Sequence, residues 1–244
     1  MFVLVLWLAP ASATLYRGRI IDAVTKRPIA GAFVTLHDTV VQTDDKGVFQ
    51  ISGEGDQIGI RAYGYVREWI DLCHLQDGTQ EIALEPLTPK ALYLSFFGIG
   101  NNRLRQAALN LIEATELNAL VIDVKGDRGM IAYPGAIPLA ARVGAQNIIT
   151  IKDLKDLIAT LRGKGIYTIA RIVTFKDNPL ALGRPDLAVK TRNGNIWRDR
   201  ERLAWTDPFK QEVRDYNIEV ALEAARAGFV EIQLDYVRFP DKRG

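Results

Sequence analysis

The sequence has one cysteine, Cys73, which excludes an intramolecular disulfide and leaves no Cys/His spacing for a zinc site. It has two histidines, His37 and His74, and both precede residue 90. Everything beyond residue 90 therefore lacks Cys and His, which excludes a Ser-His-Asp triad, a Cys-His pair and His-based metal binding there. Catalysis in that stretch has to use carboxylates, lysine, arginine, tyrosine or hydroxyls. An excess of one charge sign is also missing: 31 Lys and Arg stand against 29 Asp and Glu, a formal charge of +2. No basic run stands out, so a nucleic-acid surface has no electrostatic support. What remains is an ordinary globular composition of 244 residues, 48% hydrophobic and 25% charged, enough for one or two cores. Disorder, collagen and coiled coil are excluded.

Residues 1–13 begin with an apolar run, Phe2 to Ala9, followed by Ala11-Ser12-Ala13. A run of that length before small residues matches a secretory signal and is too short to span a bilayer. The basic n-region is missing, which leaves a start further upstream or a buried strand as the alternatives. The export reading predicts a secreted or cell-envelope protein with no membrane span in the mature chain.

From residue 16 to about 84 the chain has short β-type runs, Tyr16–Ile21, Ala32–Leu36, Val48–Ile51, Gln57–Ala62 and Gln80–Leu84, separated by Gly, Asp and Pro. That spacing predicts an antiparallel sandwich over residues 15–86. The segments Asp22-Ala23-Val24-Thr25-Lys26-Arg27-Pro28-Ile29-Ala30-Gly31-Ala32, Thr43-Asp44-Asp45-Lys46-Gly47-Val48-Phe49 and Tyr63-Gly64-Tyr65 resemble the carboxypeptidase regulatory-like domain. That resemblance implies a small transthyretin-like β-sandwich with an accessory or adhesive role. His37, Cys73 and His74 fall inside it, where structural or surface roles are expected. Pro86-Leu87-Thr88-Pro89 then forms a stiff connector.

After the connector the period changes. Strands are predicted at 91–97, 119–125, 166–175 and 230–236, and helices at 104–115, 151–164 and 208–227. Strict alternation of strand and helix implies parallel strands joined by crossovers. In the last helix Phe209, Val213, Tyr216, Val220 and Ala224 recur at three- and four-residue steps, with Thr206 or Asp207 as N-cap and Gly228 past the end.

Buried parallel strands normally read as continuous apolar runs, and these do not. By alternation Glu231, Gln233 and Asp235 share one face of the last strand, Asp123 and Lys125 one face of the second, and Arg171 one face of the third. Charged faces on neighbouring strands fit the interior of a (β/α) barrel, with the apolar faces under the helices. Asp123 and Asp235 sit near C-terminal strand ends, the side on which barrel enzymes assemble their chemistry. The long connections, 126–150 and 176–205, are on that side too. The second has a hairpin cue at Thr191-Arg192-Asn193-Gly194-Asn195, with Trp197 and Trp205 beside it. These tryptophans either stack on sugar rings or plug the loop onto the rim. Glu231 is expected deep and paired, and Asp127, Asp177 and Asp199 in turn or capping duties. Residues 90–244 supply four strands where a closed barrel needs eight, so the first half of a (β/α)8 TIM barrel is predicted, from a truncated chain.

The segments Val121-Ile122-Asp123-Val124-Lys125-Gly126-Asp127-Arg128-Gly129, Ala170 to Asp177, Trp197-Arg198-Asp199, Ala204 to Pro208, and Gln233-Leu234-Asp235-Tyr236-Val237-Arg238-Phe239-Pro240 resemble a bacterial family known as the putative glycosyl hydrolase domain. It is a TIM-barrel family loosely related to the α-amylase-like glycosidases. The resemblance implies hydrolysis of glycosidic bonds in an extracellular polysaccharide or oligosaccharide by two carboxylates. Asp235 then fits the catalytic carboxylate that ends the fourth strand, although Gln233 stands where amylase-like enzymes carry an arginine. Asp123, Lys125, Arg171, Trp197, Trp205 and Arg238 become substrate-binding candidates, with the second carboxylate expected beyond residue 244. No metal or organic cofactor is called for. The alternative is a non-catalytic carbohydrate-binding or cell-envelope protein on a glycosidase-like barrel.

Overall fold

The computed structural model describes residues 14–74 and 80–240, so the leader expected at 1–13 lies outside the described residues. The chain divides into two compact units, residues 1–88 and 89–244.

The first unit contains β1 (Thr14–Asp22), β2 (Phe33–Leu36), β3 (Thr39–Gln42), β4 (Val48–Gly53), β5 (Gln57–Arg61), β6 (Glu68–Asp71) and β7 (Gln80–Leu84). They form one sheet in the order β4-β1-β7 and another in the order β3-β2-β5-β6. Alternate residues of both point into one core: Ile20, Phe49, Ile51, Ile82 and Leu84 from the first sheet, Val34, Leu36, Ile58 and Ile60 from the second. The expected all-antiparallel pairing is corrected at one place, because β7 runs parallel to β1. No tight hairpin joins these two strands, so no turn imposes the antiparallel direction. Strands β3 and β6 fall outside the runs marked in the sequence.

The turns have local causes. Asp22 accepts hydrogen bonds from the Val24 and Thr25 N–H groups at 2.8 and 2.6 Å and from the Tyr65 hydroxyl at 2.8 Å. Asp44 accepts from the Lys46 and Val48 N–H groups, and Gly47 takes φ +74°. A Cβ at Gly47 would also stand 2.4 Å from the Ile20 carbonyl oxygen, so only glycine fits there.

The second unit contains β8 (Ala91–Leu94), β9 (Ala119–Lys125), β10 (Tyr167–Val173) and β11 (Glu231–Asp235), all parallel and adjacent in chain order. The helices are α1 (Phe96–Gly100), α2 (Asn102–Ala114), α3 (Pro138–Arg142), α4 (Leu154–Gly163), α5 (Asn178–Gly183) and α6 (Gln211–Ala227). One sheet face, with Leu94, Leu120, Ile122, Ala170 and Ile172, is buried with Leu109, Ile112, Ile158, Leu161, Val213, Val220 and Ala224 of α2, α4 and α6. The other face is half-open, with Tyr93, Val121, Arg171 and Asp235 all partly exposed.

Several sequence expectations shift at their ends. The first strand stops at Leu94 because the Ser95 hydroxyl accepts from the Gly98 N–H and starts α1. The helix expected from residue 208 begins at Gln211, since Asp207 closes a separate turn by accepting from the Phe209 N–H at 3.0 Å. Gly228 does end it, left-handed at φ +103°. The two long connections contain α3 and α5, and the Thr191–Asn195 turn forms with Gly194 at φ +81°.

Candidate active site

The half-open face of the parallel sheet gathers charge at the C-terminal strand ends. Register aligns Arg171 with Asp123 on one side and Gln233 on the other, and Val173 with Asp235, so Asp123, Arg171, Gln233 and Asp235 of the predicted inward set share one face. Arg171 is its hub. Its Nη1 meets Asp123 Oδ1 at 2.7 Å, its Nη2 meets Asp127 Oδ1 at 2.9 Å, and its Nε donates to Asp235 Oδ2 at 2.8 Å. The Tyr93 ring lies under the guanidinium, 5.5 Å from its carbon. Side-chain exposure separates the members: Arg171 and Asp123 keep 11% and 3%, whereas Asp127 and Asp235 keep 50% and 40%. Two aspartates face the solvent over an arginine seated on a third.

Asp123 is fully engaged. Its Oδ2 accepts from the Tyr93 hydroxyl at 2.8 Å and from the Phe96 N–H at 3.0 Å. Burial raises its carboxyl above the ordinary value by more than the Arg171 and Tyr93 hydrogen bonds lower it. Burial also raises the Tyr93 hydroxyl, and the neighbouring Asp123 carboxylate adds to the effect. At Asp235 the balance reverses. Partial burial pushes it up, but the Tyr236 N–H, Arg171 and Arg238 outweigh that and hold it below the usual carboxylate value. Burial lowers Arg171, but its carboxylate partners raise it further, so it stays charged.

Lys125 does not join this group. A bulge in β9 breaks the alternation, for Asp123 is level with Arg171 while Lys125, two residues on, is level with Ile172. The extra residue turns Lys125 to the helix-covered face, where it is fully buried. There it pairs with the equally buried Asp177 at 2.7 Å and donates to Asn217 Oδ1 at 2.9 Å and the Thr174 carbonyl at 3.1 Å. Burial lowers the Lys125 ammonium, partly offset by Asp177. Its place among substrate-binding residues is therefore corrected: no sugar on the open face reaches it.

The two tryptophans build the rim. Trp205 is buried, its indole N–H donates to Asp199 Oδ2 at 3.1 Å, and half-buried Trp197 meets it edge-on at 6.5 Å. Of the two readings left open, plugging describes Trp205. Tyr236 packs on Trp205 at 5.7 Å, and the exposed Arg238 guanidinium lies over both rings at 5.2 and 5.4 Å. Tyr236 has φ +53°, uncommon for an aromatic residue, and its N–H donates to Asp235 Oδ1 at 2.7 Å. Lys176 closes the rim from below. It is buried beside the Tyr236 ring and paired with Asp199 and Glu201 at 3.3 and 3.1 Å.

Other expectations change. Glu231 is exposed on edge strand β11 and accepts from the Tyr167 hydroxyl at 3.0 Å, instead of lying deep. Tyr93, Asp127 and Lys176 are site residues that the sequence reading missed. Tyr93 had a signal, since it alternates onto the open face of β8. Among the described residues no cluster of three or more His, Cys, Asp or Glu is arranged to hold a metal ion.

The model of the family described as a putative glycosyl hydrolase domain matches residues 91–244. The chain belongs to this family. The glycosyl hydrolase family match covers the whole of the parallel sheet and every residue around Arg171. Among solved structures the chain is similar to a hypothetical protein from Ruminiclostridium thermocellum ATCC 27405, at 39% identity over 62% of this chain and 78% of that one, with a TM-score of 0.57. Weaker likenesses include a noncanonic maltogenic α-amylase from Thermotoga neapolitana, at 16% identity over 62% of this chain and 40% of that one (TM-score 0.42). Another is the α-galactosidase from Lactobacillus brevis, at 10% identity over 80% of this chain and 27% of that one (TM-score 0.44). No curated protein matches.

Proposed function

We propose that residues 89–244 are the first half of a (β/α)8 glycosidase barrel, and that the protein hydrolyses glycosidic bonds of an extracellular polysaccharide with Asp235 as one of two carboxylates. The observation that carries this reading is the convergence of Asp123, Asp127 and Asp235 on Arg171, on the half-open face at the C-terminal strand ends. Among the described residues helices cover the opposite face alone, as they do in a barrel. Membership of a family described as a putative glycosyl hydrolase domain supports this reaction class.

The hydrogen bonds support a division of roles. Asp235 is half-exposed and held ionised by Arg171 and the Tyr236 N–H, which suits a nucleophile or base and not a proton donor. Asp123 lies beneath Arg171 and acts through it, fixing the guanidinium that orients Asp235. Asp127 shares that guanidinium from a turn and is exposed to ligand. Trp197 and Arg238 form the wall against which a sugar ring would lie, with the buried Trp205 plugged behind them. In the same proposal residues 1–13 are an export signal and residues 15–86 a transthyretin-like accessory domain of a secreted or envelope protein.

Replacing Asp235 by Asn in the full-length protein tests the reading. Hydrolysis of a responsive polysaccharide is expected to fall by about a thousandfold or more with glycan affinity kept, because the nucleophile or base is lost. Activity within about tenfold of the parent would remove Asp235 from the chemistry. One observation favours a second reading, a non-catalytic glycan-binding protein. All three aspartates are salted to one guanidinium, and Asp123, the one whose carboxyl is raised, is buried behind it and away from the opening. On that reading no polysaccharide is cleaved, and Asp235→Asn changes binding alone.

A further inference from the structure

The first unit has a built surface that the site around Arg171 does not use. Strands β3, β2, β5 and β6 turn one face into the core and the other to solvent. Register places Phe33 level with Arg61 and Gly59 level with Trp69. The same β5–β6 register, continued by one step, sets Arg67 opposite Arg61. Two guanidinium groups thus face each other across adjacent strands, an arrangement that costs stability unless an anion lies between them. Burial lowers the Arg67 pKa, and the Arg61 charge lowers it further. Among the described residues neither arginine has a carboxylate partner.

Both arginines are held by rings instead. Arg67 stacks on Trp69 at 4.4 Å and Arg61 on Phe33 at 5.4 Å. Trp69 in turn lies down on the bare strand at Gly59, where a Cβ would stand 2.9 Å from the ring. Despite these contacts Trp69 and Phe33 stay 53% and 38% exposed. Stacking fixes a guanidinium plane while leaving its N–H edge free, the geometry that takes a carboxylate with two parallel hydrogen bonds.

We propose that this outer sheet face binds an acidic polysaccharide, with sugar carboxylates on Arg61 and Arg67 and sugar rings against the exposed edges of Trp69 and Phe33. Charge complementarity selects an anion and the rings select a partner with apolar faces. The choice of a glycan over other polyanions rests on the carbohydrate reading of residues 89–244. The near-neutral total charge, +2, is far from that of a general polyanion binder.

The test is affinity electrophoresis of the full chain in gels with polygalacturonate, with neutral amylose as comparison. Polygalacturonate is expected to retard the chain and amylose not to, with retardation weakening as salt rises. The Arg61→Gln/Arg67→Gln double variant and Trp69→Ala are each expected to weaken retention by about tenfold or more. Arg61 and Arg67 are exposed and repel each other, so the double variant is expected to melt no lower than the parent, which separates lost binding from lost folding. Full retention of the double variant, or equal binding of single-stranded DNA or anionic vesicles, overturns the proposal. Loss of retention in Asp235→Asn with none in the double variant moves the glycan to the other unit and overturns the proposal. Because nothing need be hydrolysed, the outcome is independent of whether Asp235 is catalytic.

Discussion

Arg171 makes the acid behaviour of the candidate site predictable. Asp235 has a folded pKa below its ordinary value of 3.8. Its ionisation therefore adds stability above that value, and this is lost as pH falls through the lower folded pKa. An acid limb of kcat/KM due to Asp235 is expected below pH 3.8. In Arg171→Gln it moves upward, because burial then acts with less opposition; a pH-rate profile that stays in place would detach Asp235 from the limb. Asp123, raised by burial, takes its proton first as the pH drops, and NMR titration of the two carboxyls can order them. At this scale much of the site was legible: Asp123, Arg171 and Asp235 follow from period-two alternation in three separate strands. Asp127 was not, because an aspartate in a Gly-rich turn reads equally well as a capping residue. The engagement of Lys176 with Asp199 and Glu201 depends on how a thirty-residue connection folds back, which no local pattern encodes.

The bulge in β9 decides more than any other element. Alternation puts Lys125 beside Asp123, and one inserted residue sends it through the sheet to Asp177 and Asn217. Bulges have no compositional signature in an apolar strand, which is why this position misled the sequence reading. The pair ties β9 to the start of α5, whose first turn Asp177 caps through the Leu180 N–H at 3.0 Å. The turn after β9 closes on the same residue, since a Cβ at Gly129 would lie 2.4 Å from Asp177 Oδ1. Lys125→Met keeps much of the volume but strands a buried carboxylate, and is expected to cost about 3–5 kcal/mol. Calorimetry should record it as a fall of roughly 10 °C in the melting of this unit. A drop of a degree or two would mean that Asp177 finds another partner. The helices were more legible than the strands' ends, because apolar residues at three- and four-residue steps and a glycine stop are local signals. Ser95 and Asp207 moved boundaries by capping turns that periodicity does not register.

Each unit has its own apolar core, one built from Ile20, Phe49 and Ile58 and the other from Ile122, Ile172 and Val220. Heating is therefore expected to give two calorimetric transitions, with Lys125→Met shifting one and leaving the other in place. A single transition that the substitution moves as a whole would show the units to be coupled. The change of period at the Pro86–Pro89 connector was plain in the sequence. The parallel pairing of β1 with β7 was not, because strand direction is set by where the chain returns from. The parallel sheet has a further property as a whole. Among the described residues β8 and β11 are its outermost strands, and Leu234 on β11 and Ile218 and Leu222 on α6 are about half exposed. A strand with open amide groups next to greasy side chains is a template for a second molecule. Concentrated solutions of this chain are therefore expected to scatter light increasingly with time, and Leu234→Lys, by placing a charge on that border, to keep them clear.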